Sequence, residues 1–210
     1  MKLLVATKNQ GKLREIRSLF ASQGIEVVGL ESLADVPDVI EDGDSFAANA
    51  SKKALEISCL ANCLVLADDS GLVVPALDGA PGIFSARYAG EGATDTQNNL
   101  KLLGELRVIP HERRQAYFCC VMALADPQGR CRTFEGQLHG RLIDELRGDQ
   151  GFGYDPLFLV SEYGKTLAEL PLEIKNRISH RGKALSLLLP VIKSDDPWMV
   201  DSSFLRSAAT

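Results

Sequence analysis

The sequence predicts an α/β fold whose strands form a mixed sheet. Three observations predict it: apolar runs of strand length alternate with stretches of helical periodicity, a pair of carboxylates follows one buried apolar run, and two long β-rich runs joined by a short turn interrupt the alternation. The buried run is Leu64–Ala67, and Asp68, Asp69, Ser70 and Gly71 come directly after it. The carboxyl end of a strand is where open α/β sheets assemble their chemistry. Adjacent carboxylates repel unless a cation or a shared proton relieves them. Asp68 and Asp69 therefore read as a magnesium site or an acid/base pair, with a solvated polar turn as the plainer alternative.

In chain order, Lys2–Ala6 reads as the first strand and Thr7–Lys12 as a polar loop. Leu13–Gln23 reads as a helix with Leu13, Ile16, Leu19 and Phe20 on one side, closed by Gly24. Asn9 can cap that helix, and the amides at its start would face an anion, with Lys8 and Lys12 adding positive charge. The glycine, lysine and hydroxyl pattern of a Walker loop is missing, and a plain capped β–α turn fits the same residues. Glu26–Leu30 forms a second strand. Glu41, Asp42 and Asp44 then precede a helix over Ser45–Asn62, capped by Asp44 or Ser45, on which Asn49 and Lys53 share a face with Phe46 and Ile57. An amide and a lysine placed this way reach into a cleft, unless the lysine stem only covers the edge of the core.

The glycine- and proline-rich stretch 76–90 is too irregular for a helix and too apolar for a linker, so it reads as an ordered loop packed against the site. Thr94 or Asp95 starts a helix carrying Leu100, Leu103 and Leu106. Gln115–Ala125 and Arg130–Leu138 form an antiparallel hairpin around 126–129, which makes the sheet mixed and suggests a second lobe. The loop Gly151-Phe152-Gly153-Tyr154-Asp155 leads into a strand over Leu157–Val160. Its glycines let the backbone lie against a flat ligand with Phe152 stacked on it, or else form a tight turn that buries Phe152. Lys175 follows. Ser179 caps a last helix holding Ala184, Leu185, Leu188 and Leu189, so His180 and Arg181 project from its first turn. Cations there oppose the helix dipole by roughly 0.3–1 kcal/mol, which a bound anion or a polar ligand edge would offset.

A chain of 210 residues can bury a sizeable core. Its net charge of −5 disfavours a nucleic acid polymer as partner while leaving room for a small anion in a locally basic cleft. The five cysteines are odd in number and show no paired metal spacing with histidine, so they read as reduced core thiols. The amino terminus turns polar too soon for a signal peptide and no run is long enough to cross a bilayer, so a cytoplasmic protein without membrane contact is expected.

Carboxylates at Glu41 and Asp69, amines at Lys8, Lys12 and Lys53, an aromatic at Phe152, and donors at Lys175, His180 and Arg181 are the parts needed to hold a nucleoside triphosphate with magnesium. The blocks that carry them are Thr7-Lys-Asn-Gln-Gly-Lys12, Ser45-Phe46 with Asn49-Ala50 and Lys53-Ala54, Ala67-Asp-Asp-Ser-Gly-Leu72, Gly79 through Tyr88, Gly151 through Pro156, and Ile178-Ser-His-Arg-Gly182. In this order they resemble the inosine triphosphate pyrophosphatase family, from Lys2 to about Pro190. The resemblance implies an elongated two-lobed α/β fold with a central mixed sheet, a substrate cleft between the lobes, and a homodimer. The bilobed domain would span residues 1–193, with 194–210 as a tail.

By matching positions, the resemblance implies that Thr7, Lys8, Asn9, Gln10, Gly11, Lys12 and Lys53 bind the triphosphate. Glu41 and Asp69 would hold Mg2+, and Asp69 would also be the proton acceptor, with Glu41 as its rival. Ser70, Phe152, Gly153, Tyr154, Asp155, Lys175, His180 and Arg181 would contact the nucleotide. The implied reaction cuts noncanonical purine nucleoside triphosphates between the α and β phosphates. Ala48 departs from the family pattern, which often has Glu there. A related diphosphatase of other base preference and a non-catalytic nucleotide sensor are the competing readings, and the presence of both Glu41 and Asp69 favours catalysis.

Overall fold

The computed structural model describes residues 2–21, 23–33, 36–194 and 196–198. Its strands are β1 (Lys2–Val5), β2 (Glu26–Gly29), β3 (Val65–Val73), β4 (Gln115–Ala125), β5 (Cys131–Leu142), β6 (Phe158–Val160) and β7 (Lys165–Thr166). They hydrogen-bond in the order β2-β1-β3-β4-β5-β6-β7. β1 pairs parallel with β2 and with β3, whereas β6 pairs antiparallel with β5 and β7, so the sheet is mixed as expected. The parallel pairs require crossovers. Two of the helices supply them: α1 (Gln10–Ala21) joins β1 to β2, and α2 (Phe46–Ala61) lies between β2 and β3. The remaining helices are α3 (Asp95–Leu106), α4 (Leu172–Ile178) and α5 (His180–Ile192). None of the described helices is long and apolar enough to cross a membrane.

The chain divides into two compact units. Among the described residues, the first comprises those within 2–69, 120–136 and 180–198, and the second residues 70–119 and 137–179. Each has its own apolar core. In the first, Leu3 and Val5 of β1, Ile16 and Phe20 of α1, Met122 and Leu124 of β4, and Leu185 and Leu188 of α5 pack together. In the second, Leu72 and Val74 of β3 pack with Leu102 and Leu106 of α3, Phe118, Leu138 and Phe158. Each such side chain, taken from water, contributes roughly 1.5–3 kcal/mol.

Local chemistry explains most element boundaries. Ser45 caps α2 by accepting the Ala48 N–H at 3.2 Å, and Asn62 ends it in the left-handed region at φ 49°. Thr94, one of the two expected residues, caps α3 in a reciprocal capping box with Gln97. The stretch 76–90 is ordered, with short 3₁₀ segments at Pro75–Leu77 and Gly82–Arg87.

Other boundaries move. Asn9 is the cap, but the helix begins directly after it: the Asn9 side chain accepts from the Lys12 N–H and its carbonyl from the Leu13 N–H, each at 3.0 Å, so Gln10, Gly11 and Lys12 form the first turn of α1 rather than a loop. β3 does not end at Ala67 but runs on through Asp68, Asp69, Ser70 and Gly71. The short helix α4, which contains Lys175, gives no amphipathic signal in the sequence, and α5 continues through Pro190. Cys59 is exposed rather than a core thiol, and Cys63 and Cys131 are half-buried; none of the five cysteines forms a disulfide. Of the expected tail, Pro197 accepts a bond from Arg132 and Trp198 lies under Arg130, while residues 195 and 199–210 lie outside the described residues.

Gly136 shows how tightly the first unit is packed near the start of α5. A Cβ there would be driven into the His180 carbonyl, the Ala184 amide and the Lys183 side chain, two of which are backbone and cannot swing aside. Gly136→Ala is expected to lower stability by about 1–3 kcal/mol, the usual cost of overpacking. Urea unfolding checks it, and a variant as stable as the parent would show that β5 and α5 can separate without loss.

Candidate active site

In the first unit, three elements converge on β3. Lys12, from the first turn of α1, lies 3.2 Å from the Asp68 carboxylate, and Arg181, from the first turn of α5, lies 3.4 Å from the same oxygen and also pairs with Glu15 of α1. Asp68 is fully buried, and Arg181 is 1% exposed. The misplaced cation at the start of α5 is thus answered from within the protein, by two buried carboxylates. From α2, the Asn49 amide donates to Asp69 at 3.1 Å while its oxygen accepts the Gly43 N–H at 2.8 Å. Lys53, one turn along α2, pairs with Glu41. Lys8 is exposed and paired with Asp38, and the Thr7 hydroxyl accepts the Asn9 N–H at 3.2 Å.

Because β3 is a strand through this region, its successive side chains point to opposite faces, which separates the two carboxylates. Asp68 meets Lys12 and Arg181; Asp69 meets Asn49. Burial alone would raise the Asp68 pKa, but Lys12, Arg181 and Lys53 outweigh it and hold the carboxyl well below the usual range. Burial also acts on Asp69, and there the nearby Glu41 charge adds to it, so Lys12 and the Asn49 bond fail to compensate and the pKa is raised. For Lys12, burial disfavours the charge, yet Asp68 prevails and the pKa rises. Neighbouring residues of one type thus become a fixed anion and a carboxylate with raised proton affinity, the pattern that marks acid/base assignments.

The second unit holds a separate cluster. Phe152 is half-buried and lies outside the apolar core, with the Lys175 ammonium 5.0 Å from its ring centre, so of the two expectations the buried turn is excluded. Lys175 pairs with Asp155, both side chains buried, and Asp155 also accepts the Phe152 N–H at 2.9 Å. Gly151 adopts φ 79°, and a Cβ would strike the Asp155 carboxylate. The Gly153 N–H donates to Asp95 at 2.7 Å, and its carbonyl accepts from Asn99 at 2.8 Å. The Tyr154 hydroxyl donates to the Ser85 carbonyl at 2.9 Å.

Within the first unit the structure brings Lys12, Asp68, Asp69 and Arg181 together and pairs Glu41 with Lys53. Within the second it gathers Phe152, Asp155 and Lys175. Gln10 and Gly11 open α1, Ser70 lies in β3, and His180 is buried in the first turn of α5. Sequence reasoning read Asp68 with Asp69 as a metal or acid/base pair and Asn49 as reaching into a cleft, but left both out of the residues it assigned to the nucleotide, and it missed Glu15, Asp95 and Asn99 as partners of these clusters. Asn49 had a usable signal in its four-residue spacing from Lys53. Glu15 had none, since its partner Arg181 is 166 residues away.

For a metal, Glu41 and Asp69 offer hard carboxylate oxygens close enough for one charge to affect the other. No group of three or more His, Cys, Asp or Glu side chains suited to a metal occurs among the described residues. That donor set fits magnesium, which commonly takes one or two carboxylates and completes its shell with phosphate oxygens and water.

A mixed α/β sheet with Lys8 in the turn after β1, Lys12 at the start of α1, and Asp68 and Asp69 along β3 sets out the cations and carboxylates with which an enzyme can bind and hydrolyse an anionic substrate. The sequence matches the Ham1 family over residues 3–191, and the chain belongs to that family. The resemblance carried by the sequence blocks is borne out. A dITP/XTP pyrophosphatase of Geobacter sulfurreducens is 55% identical over 187 residues, 89% of this chain and 94% of the relative. One from Desulforamulus reducens is 51% identical, covering 91% of this chain and 96% of its own. Among solved structures, a HAM1 protein from Coxiella burnetii superposes with a TM-score of 0.83 at 39% identity, covering 91% of this chain and 98% of its own.

Proposed function

We infer that this protein is a nucleoside triphosphate diphosphatase that hydrolyses the noncanonical purine nucleotides ITP, dITP and XTP to the nucleoside monophosphate and pyrophosphate. The observation that carries the reading is the division of labour on β3, where Asp68 is held by Lys12 and Arg181 while Asp69, on the other face, is held by Asn49 near Glu41, which provides an anchor for cations and a separate proton acceptor. Its support is membership of a family whose similar relatives are named dITP/XTP pyrophosphatases.

In this reading the amides at the start of α1, with Lys8, Lys12 and Lys53, neutralise the triphosphate and the departing pyrophosphate. Asp69 takes the proton of the water that attacks the α phosphorus. Asn49 keeps the Asp69 carboxylate aimed, and Asp68 with Glu15 fixes Lys12 and Arg181. Glu41 and Asp69 would hold Mg2+, which when bound supplies further neutralisation of phosphate charge. The base falls to Ser70, the 152–155 loop, Lys175, His180 and Arg181. A 6-keto oxygen accepts from such donors, whereas the 6-amino group of adenine would set donor against donor; a polar mismatch of this kind discriminates by roughly 10⁴ or more, while guanine, which shares the 6-keto oxygen, has to be rejected at its 2-amino group. The loop amides at Phe152 and Gly153 already donate to Asp155 and Asp95, so direct hydrogen bonds to the 6-keto oxygen fall to the side-chain donors, while the loop sets how the base is seated against them. The enzyme would work as a cytoplasmic homodimer.

Pyrophosphate release from inosine, xanthosine, adenosine and guanosine triphosphates, with Mg2+ and with excess chelator, tests this. Release from the first two only, lost with the chelator, is expected. Orthophosphate as product, or equal rates on all four, would overturn it, and elution of the same preparation as a single chain in gel filtration would remove the homodimer.

A further inference from the structure

The Gly153 peptide is held on both sides by α3, and this grip is independent of the Lys175–Asp155 pair that braces the same loop. Asp95, the first residue of α3, accepts the Gly153 N–H at 2.7 Å; Asn99, one turn on, donates to the Gly153 carbonyl at 2.8 Å and to the Asp95 carbonyl at 2.9 Å. Their four-residue spacing puts both side chains on one face of the helix. A third residue of that first stretch, Asn98, holds a second segment: it donates to the Ala86 carbonyl at 3.2 Å and accepts the Ala89 N–H at 2.8 Å. That segment returns to the loop through the Tyr154 hydroxyl on the Ser85 carbonyl. The start of α3 therefore frames the aromatic glycine loop through its backbone.

Asn99 is buried, and its side-chain oxygen accepts no hydrogen bond among the described residues. An amide whose oxygen goes unanswered inside the protein is poorly chosen for stability, and what the residue supplies is its two N–H donors. One of them serves only the loop. Gly153 itself adopts φ 61°, and a glycine, lacking a side chain, has little of its own to hold it in one conformation between Phe152 and Tyr154. The two hydrogen bonds hold the two peptide planes on either side of the Gly153 α carbon, and so restrict its φ and ψ.

We propose that Asp95 and Asn99 are positioning residues that determine base selectivity by fixing the backbone at Gly153, and with it the half-buried Phe152 ring, in the geometry that meets the purine. The proposal rests on the reading that the 152–155 loop faces the base. Asp95 and Asn99 bond to the Gly153 backbone and to each other, not to Asp69 or to the lysines assigned to the triphosphate, so their loss is expected to act on substrate affinity and discrimination and to leave the chemical step nearly alone.

The test compares Asp95→Ala, Asp95→Asn, Asn99→Leu and Phe152→Ala for kcat and KM on inosine and guanosine triphosphates. Asp95 is exposed, so its substitutions leave the core intact even if Asn99→Leu folds poorly. The expected result is a KM for inosine triphosphate raised about tenfold and a preference over guanosine triphosphate reduced by a similar factor in Asp95→Ala and Asn99→Leu, with kcat within about twofold of the parent. Asp95→Asn, which keeps an oxygen for the Gly153 N–H, should restore most of the preference. If Phe152→Ala raises KM while Asp95→Ala and Asn99→Leu leave KM and preference as in the parent, the positioning role is overturned and the loop's contact with the base stands. If Phe152→Ala also changes nothing, the reading of the loop has failed and the proposal falls with it. An equal loss of kcat on both nucleotides with KM unchanged would likewise overturn it.

Discussion

Asp69→Asn is expected to lower pyrophosphate release from inosine triphosphate by about 10³-fold while the protein melts no lower than the parent. The two halves of this expectation have one cause. Asp69 is 5% exposed, its charge is disfavoured first by burial and then by Glu41, and its pKa is raised. An amide of the same shape removes that buried charge and still accepts the Asn49 hydrogen bond, so the fold loses nothing. What it cannot do is take a proton from water or offer a charged oxygen to a cation. Turnover and thermal melting on the same preparation separate these effects. Activity within tenfold of the parent would remove Asp69 as proton acceptor and move that role to Glu41. A large fall in melting temperature would mean that the Asp69 charge has a stabilising partner which outweighs its burial.

Arg181→Met should cost about 3–5 kcal/mol of stability, the usual effect of removing one member of a buried ion group. Its guanidinium lies between Glu15 and Asp68, all three in the interior, and the fold raises its pKa because those carboxylates overcome the penalty of burial. Taking away the cation leaves their charges in a site too dry to hold them cheaply. Over a chain of this size the loss corresponds to roughly 6–20 °C in melting temperature. Replacing Glu15 by Met as well should recover part of it, since the second substitution removes one of the charges the first exposed. Urea unfolding of the two single variants and the double variant measures the coupling. Additive losses would mean that Glu15 and Arg181 do not depend on each other. In the proposed reading this makes Arg181 a fixed donor to the nucleotide and not a mobile cation, since its guanidinium is 1% exposed and already held by two carboxylates.

Much of this protein was determined by local sequence. The caps at Asn9, Ser45 and Thr94, the left-handed turn after each of the first two helices, the hairpin around 126–129 and the mixed character of the sheet follow from short-range chemistry that a few neighbouring residues settle among themselves. The residues that carry charge and hydrogen-bonding chemistry are also legible, because such groups are rarely placed without a partner. Tertiary structure decided how they divide the work. Asp68 and Asp69 read alike in sequence as a turn at the end of a strand, since two carboxylates in succession ordinarily seek solvent. They continue β3 because Lys12 and Arg181 reach one face and Asn49 the other, and the alternation of the strand then gives one aspartate a lowered and the other a raised pKa. Glu15, Asp95 and Asn99 gave no local sign of function, as each acts on a residue at least 54 positions away. Pairings at that separation are set by packing, and their energies exist only once the chain has removed the charges from water.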